Sequence, residues 1–326
     1  MHVTPSAAGR RQLRLFITGA AGQLGSAIVA RFADCDLVCP SSASLDIADG
    51  AAVRRAVATA TPDLIVNCAA YNDVEGAEDR PQDALAVNAF AVRTLARAAE
   101  ACGATLIHYS TDFVFDGTAS TPYDEAAQPA PRSVYAASKL LGEWFAQEAP
   151  TAYVLRVESL FGVPRAFAGR RGSMETIVRG LEEDREIPVL TDRVISPGYV
   201  VDIAAATRHL VEAQAPSGLY HCVNAGVTRW VEVAGELARA MGVSPKLRPI
   251  SSDQLSLKAA RPVYSALSTA KLAAAGFAMP GWRDAVARWL AARNVAVAAD
   301  TGMAGPGGPA LLSGGSEGTR TTYRED

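Results

Sequence analysis

Short apolar runs alternate with stretches of helical spacing through the first half of the chain. Residues 13–18 form an apolar run that ends in glycines. Residues 23–32 follow with apolar positions three and four apart, which predicts a strand and then a helix. The alternation continues with a short strand at 37–40, a helix at 51–60, a third strand at 64–67 and a long helical stretch at 81–102. A buried strand at 105–110, a helix at 135–147 and another strand at 152–156 complete it. Continuous apolar strands separated by helices predict a doubly wound α/β domain, a parallel sheet covered by helices on both faces.

After Phe161 the alternation weakens. A smaller, discontinuous α/β lobe is therefore expected at 162–194 and 216–296, with 195–215 returning to the main domain of 13–161 through a helix at 200–213. The segment 219–223, a helix at 231–241 and a closing helix at 283–293 would complete the second lobe. Residues 1–12 are small, polar and basic and read as a flexible leader. The Gly, Pro, Ser and Thr of 297–326 bury too little apolar surface to order themselves, so a disordered tail is expected there.

With 326 residues, 49% apolar and 20% charged, the chain is long enough for one large or two smaller cores. Its net charge of -3 is spread without a basic block, which argues against nucleic-acid and membrane-surface partners and favours a small molecule. Arg10, Arg11 and Arg14 ahead of an apolar run superficially suggest a signal peptide, but Gly19, Gly22, Gln23 and Gly25 interrupt the run and no cleavage site follows. The five cysteines, Cys35, Cys39, Cys68, Cys102 and Cys222, have no paired spacing and read as buried reduced thiols of a cytoplasmic protein. His2, His108, His209 and His221 show no metal-ligand spacing, and no metal site is expected.

Chemistry concentrates in four places. Gly19-Ala-Ala-Gly22-Gln-Leu-Gly25 lies between a predicted strand and a predicted helix, where glycines allow a sharp turn and the helix N-terminus offers unpaired N–H groups to a pyrophosphate. Tyr135 and Lys139 are four apart on a predicted helix, hence on one face, where a cation can stabilise a phenolate and make the phenol a usable acid. Tyr109-Ser110-Thr111-Asp112 ends a strand on the ligand-binding side of such sheets, making Thr111 a candidate third catalytic group, although these residues also favour turns. The end of the second strand, Pro40-Ser-Ser42, carries neither the acid nor the arginine that would distinguish NADH from NADPH. Asp46 lies further on, suited either to an adenine amino group or to capping the next helix.

Together, Gly19-x-x-Gly22-x-x-Gly25, Leu45-Asp-Ile47, Asn67-Cys-Ala-Ala-Tyr71, Ser110-Thr-Asp-Phe-Val-Phe-Asp-Gly117, Tyr135-x-x-x-Lys139 and Arg261-Pro-x-x-Ser265 resemble the dTDP-4-dehydrorhamnose reductase family. That family belongs to the extended short-chain dehydrogenase/reductases, and the resemblance runs from about Leu13 to Leu290. It implies a Rossmann-type fold and hydride delivery from NADPH or NADH to C4 of a nucleotide-linked 4-keto-6-deoxy sugar. Carried over by motif, Gly19, Gly22, Gln23, Leu24 and Gly25 form the pyrophosphate turn, and Asp46 and Ile47 approach the adenine. Ala70, Tyr71, Asn72 and Tyr109 join the cofactor contacts. Tyr135 would protonate the C4 oxygen while Lys139 binds the nicotinamide ribose and lowers the Tyr135 pKa. Thr111, Asp112, Ser159, Arg261 and Ser265 would face the substrate, and a homodimer is a possible assembly.

The chain departs from the family pattern where Arg-Thr-Ser-Trp reads Arg156-Val-Glu-Ser159, losing an indole against the substrate. Asn72 replaces the usual Thr, and Ala266 stands where many members have a basic residue. Two other readings stay open: a sugar-nucleotide epimerase or dehydratase that retains its cofactor through turnover, and a non-catalytic cofactor-binding regulatory subunit.

Overall fold

The computed structural model describes residues 12–162 and 172–300. The expected tail beyond 300 and all but the last residue of the expected leader lie outside these residues. Five strands open the chain: β1 (Arg14–Thr18), β2 (Asp36–Val38), β3 (Leu64–Asn67), β4 (Thr105–Thr111) and β5 (Ala152–Val157). Five more follow: β6 (Ile187–Leu190), β7 (Val194–Ile195), β8 (Gly218–His221), β9 (Thr228–Arg229) and β10 (Leu247–Ile250). Six of them make one parallel sheet in the order β2-β1-β3-β4-β5-β8.

Alternate residues of the central strands feed two cores, as the two-residue strand period requires. Leu15, Ile17, Ile107 and Tyr109 face helices Gln23–Arg31 and Val200–Glu212, whereas Phe16, Ile65 and Leu106 face helices Gly50–Ala60 and Ala91–Cys102. The segment expected as one helix from 81 to 102 is broken. An α turn, Pro81–Leu85, passes into a π segment, Ala86–Phe90, and then into the helix Ala91–Cys102.

The second lobe pairs β6 with β10 in parallel and β7 with β9 antiparallel. Helices Ser173–Glu182, Trp230–Met241 and Trp282–Asp300 pack a separate core around Val178, Leu237 and Trp289.

Three expectations are corrected. Residues 219–223, assigned to the second lobe, supply β8, the sixth strand of the main sheet, because Tyr220 and Cys222 pack into the same core as β5. Leu272 and Met279 join that core too, so part of 216–296 belongs to the main body. The closing helix also continues to Asp300, past the expected start of the tail at 297. Finally, the five cysteines are free, but Cys39 is exposed and only Cys222 is buried. Among the described residues, no helix is long and apolar enough to cross a membrane.

Candidate active site

The C-terminal ends of β1, β3, β4 and β5 bring the site residues to one edge of the sheet. Gly19 sits at φ +67°, a left-handed conformation, and a Cβ there would lie 2.6 Å from the Ala69 nitrogen. At Gly25 a Cβ would come within 2.1 Å of the Gly19 carbonyl oxygen, so turn and helix approach each other only as glycines. Helix Gln23–Arg31 starts at Gly22 with no side-chain cap and no acid in its first turn. Its first N–H groups therefore remain available to an anion, which fits a cofactor pyrophosphate.

Asp46 is exposed and accepts from Ala48 N at 2.9 Å. It is not the cap of the following helix. Asp49 is, accepting from Ala51 N and Ala52 N. Ile47 packs on the core beneath. After β3, Ala70 and Tyr71 are half-buried and Asn72 is exposed. Asn88 of the π segment clamps the Tyr71 backbone: Tyr71 N donates to Oδ1 at 2.8 Å, and Nδ2 donates to Tyr71 O at 3.0 Å. The same Nδ2 donates to Ser138 Oγ at 3.0 Å, tying this loop to the helix that carries Tyr135 and Lys139. A Cβ on Gly142 would lie 2.2 Å from the Asn88 carbonyl oxygen, so that helix rests directly against the π segment.

Tyr135 and Lys139 share helix Val134–Ala146, capped by Ser133, and both are buried. Lys139 Nζ donates to the Tyr109 carbonyl at 2.6 Å. Burial lowers the Lys139 pKa to about 8, against the pull of the Glu143 charge. The Tyr135 pKa is raised, first by burial and then by the charge of Asp112, while a hydrogen bond with Thr111 works the other way. The expected depression by Lys139 is thus not the dominant influence on Tyr135, which is held as a neutral phenol. That form is the one a proton donor needs.

Thr111 donates to Asp112 Oδ1 at 3.0 Å and accepts from Phe113 N at 3.2 Å, so the turn chemistry and the contact with Tyr135 coexist. Asp112 is buried, and its Oδ2 has no partner. Burial pushes the Asp112 carboxyl up to about 6, against the Arg193 charge. Of the other expected site residues, Tyr109 and Ser265 turn their side chains inward. The Tyr109 phenol is turned into the core, 2.8 Å from Thr207 Oγ1, so only its carbonyl serves the site. Arg261 pairs with Glu75 at 2.9 Å. Ser265 is fully buried and donates to Glu158 Oε1 at 2.6 Å, which places it behind Asp112 and away from solvent. Ser159 is half-buried at φ +43°. Glu158, Arg193 and Asn88 did not emerge as site residues from sequence. The replaced third position in Arg156-Val-Glu-Ser159 is the one signal that pointed toward Glu158. Among the described residues, no group of three His, Cys, Asp or Glu side chains is arranged to hold a metal.

The family description RmlD substrate binding domain matches residues 13–295. A dTDP-4-dehydrorhamnose reductase of Mycobacterium tuberculosis is 39% identical over 295 residues, covering 87% of this chain and 94% of that protein. The chain belongs to the dTDP-4-dehydrorhamnose reductase family. It is an oxidoreductase by that membership, with an α/β Rossmann-like fold. The solved dTDP-4-dehydrorhamnose reductase of Bacillus anthracis, in complex with NADP, superposes with a TM-score of 0.81 at 32% identity, covering 86% of this chain and 99% of its own. A Streptomyces antibioticus protein named as a probable dTDP-4,6-dihydroxy-2-methyloxan-3-one 4-ketoreductase is 37% identical over 283 residues, covering 84% of this chain and 93% of its own. Relatives with different sugar names thus stand at nearly equal identity to this chain.

Proposed function

We propose that this chain reduces the C4 keto group of a dTDP-linked 4-keto-6-deoxy sugar in the cytoplasm, converting dTDP-4-dehydrorhamnose to dTDP-L-rhamnose with NADPH or NADH. The observation that carries the reading is the convergence of Tyr135, Thr111 and Lys139 beside an uncapped helix N-terminus. The reduced nicotinamide, when bound, supplies the hydride. The chain's own residues do the rest. Gly22 and the first turn of helix Gln23–Arg31 hold the pyrophosphate, and Lys139 binds the ribose from its buried seat on the Tyr109 carbonyl. Thr111 orients the substrate carbonyl, and Tyr135 donates its proton to the C4 oxygen, since a developing alkoxide is a stronger base than a phenolate. Proton donation of this kind contributes about 10²–10⁴ in rate.

The test follows NADPH and NADH absorbance separately with enzymatically generated dTDP-4-dehydrorhamnose. Stoichiometric consumption of reduced cofactor with substrate is expected. Conversion of a sugar nucleotide without net consumption would overturn the reading in favour of an epimerase.

A further inference from the structure

Of the four tryptophans, Trp230, Trp282 and Trp289 are no more than 9% exposed, whereas Trp144 is 60% exposed. Phe90 is 54% exposed, and among the described residues these two are the only exposed aromatic side chains. They belong to one surface. The Phe90 ring lies 6.1 Å from that of Phe145, next to Trp144, where helix Ala91–Cys102 packs on helix Val134–Ala146. Large aromatic side chains contribute most when they are buried, so this surface is unfinished in the single chain.

The sequence of helix Val134–Ala146 shows what would finish it. Val134, Ala137, Leu141 and Trp144 recur at spacings of three, four and three, the narrow apolar seam with which one helix meets another. Ala137 and Trp144 are exposed, and Val134 and Leu141 are half-buried. At about 100° per residue the seam lies opposite Tyr135 and Lys139, which are buried on the inner side. The two ends of the helix carry opposite charges. Arg132 is exposed just before it, and Glu148 is exposed just past it, 3.2 Å from Arg93 and 3.8 Å from Arg97.

We propose that this face is a two-fold interface between two copies of this chain, with helix Val134–Ala146 packed antiparallel on its counterpart and Trp144 as the anchor. Such a pairing is complementary in size and in charge. Centred between Ala137 and Trp144, it seats each indole on the Ala137 methyl of the other copy and brings Leu141 beside the two-fold axis. It also sets Glu148 at the start of the other copy's helix, next to Arg132 and the positive end of the helix dipole. A parallel pairing would stack indole on indole and carboxylate on carboxylate. The interface stands independently of the reductase reading.

Sedimentation equilibrium of the full chain across about 0.1–100 μM should show a monomer passing into a dimer. Because Trp144 is the exposed indole, tryptophan emission should move to shorter wavelength over the same range. Trp144→Glu removes the anchor and should weaken association by about thirtyfold or more while the far-ultraviolet circular dichroism stays unchanged. Ala137→Glu alters a position exposed in the single chain and blocks the seat of the indole, so it should weaken association as well. A parent chain that remains monomeric throughout overturns the interface. A dimer that both variants leave intact is built on another face and overturns it too. Emission already at short wavelength in the dilute monomer means that another segment of the same chain covers Trp144, which rules out a second copy as the occupant.

Discussion

Two groups of buried charges lie side by side in this protein, and they are built on opposite rules. Glu143 and Arg156, each 2% exposed, form a bidentate pair in which Nε donates to Oε1 at 2.8 Å and Nη2 to Oε2 at 2.7 Å. Ser110 adds a third donor at 2.5 Å, and the Arg156 guanidinium lies over the Phe115 ring. Both carboxylate oxygens are engaged. Just past the ends of the same strands, the buried Asp112 leaves its Oδ2 without a partner, while Glu158 is held by Ser196 N and the Ser265 hydroxyl. Burial is common to both groups, so burial does not mark the site. Unspent hydrogen-bonding capacity at the carboxyl ends of the strands does.

If the closed pair is structural and the open group functional, substitutions should separate stability from activity. The largest effect is expected at Tyr135→Phe, which should lower turnover by about 10²–10⁴ while the urea midpoint stays put. Near-normal turnover would remove Tyr135 from the chemistry. Next comes Glu143→Ala, which strands the Arg156 charge and should cost about 3–5 kcal/mol in urea unfolding. A loss below about 1 kcal/mol would show that the pair is dispensable and the contrast false.

Lys139→Met should move stability the other way. Burial brings Lys139 from 10.5 to about 8, so the folded protein binds fewer protons than the unfolded chain between those values. Stability therefore rises with pH across that window, and the full penalty applies below it. Removing the charge should stabilise the unliganded protein by about 1–3 kcal/mol at neutral pH, a gain that vanishes above about pH 10.5. Cofactor affinity and turnover should both fall. Destabilisation at neutral pH would place Lys139 with the closed pair.

The smallest effect is expected outside both groups. An aromatic face is worth about 0.5–1.5 kcal/mol beyond its area. Ser159→Trp should therefore lower KM for dTDP-4-dehydrorhamnose by up to about tenfold with little change in kcat. The parent chain should correspondingly turn over some other 4-keto nucleotide sugar better. Saturation of the parent at low micromolar dTDP-4-dehydrorhamnose would make Ser159 a neutral replacement.

The features legible in sequence were those that a local spacing determines. Strands β1 to β5 declared themselves as apolar runs, and Tyr135 and Lys139 share a face because one helix fixes their separation. Gly19 and Gly25 were legible because the conformation and the close approach demand glycine. What escaped depends on distant partners. β8 has the pattern of any short strand, and its place is decided by pairing with β5. Asn88 works through Tyr71 and Ser138, 17 and 50 residues away, and Glu158 through Ser265, 107 away. The inward turn of Tyr109 follows from alternation along β4, which sets it on the same face as Ile107.

The π segment Ala86–Phe90 makes the length of this stretch part of the site. A π turn accommodates one residue more than an α turn, and an α-helix rotates about 100° per residue. Deleting one residue between 86 and 90 would let the segment relax into a uniform α-helix, swinging Asn88 off the Tyr71 backbone and Ser138 together. Homologues that share this clamp must therefore share the residue count as well as the asparagine, so an alignment gap here would mark a different hold on the loop after β3.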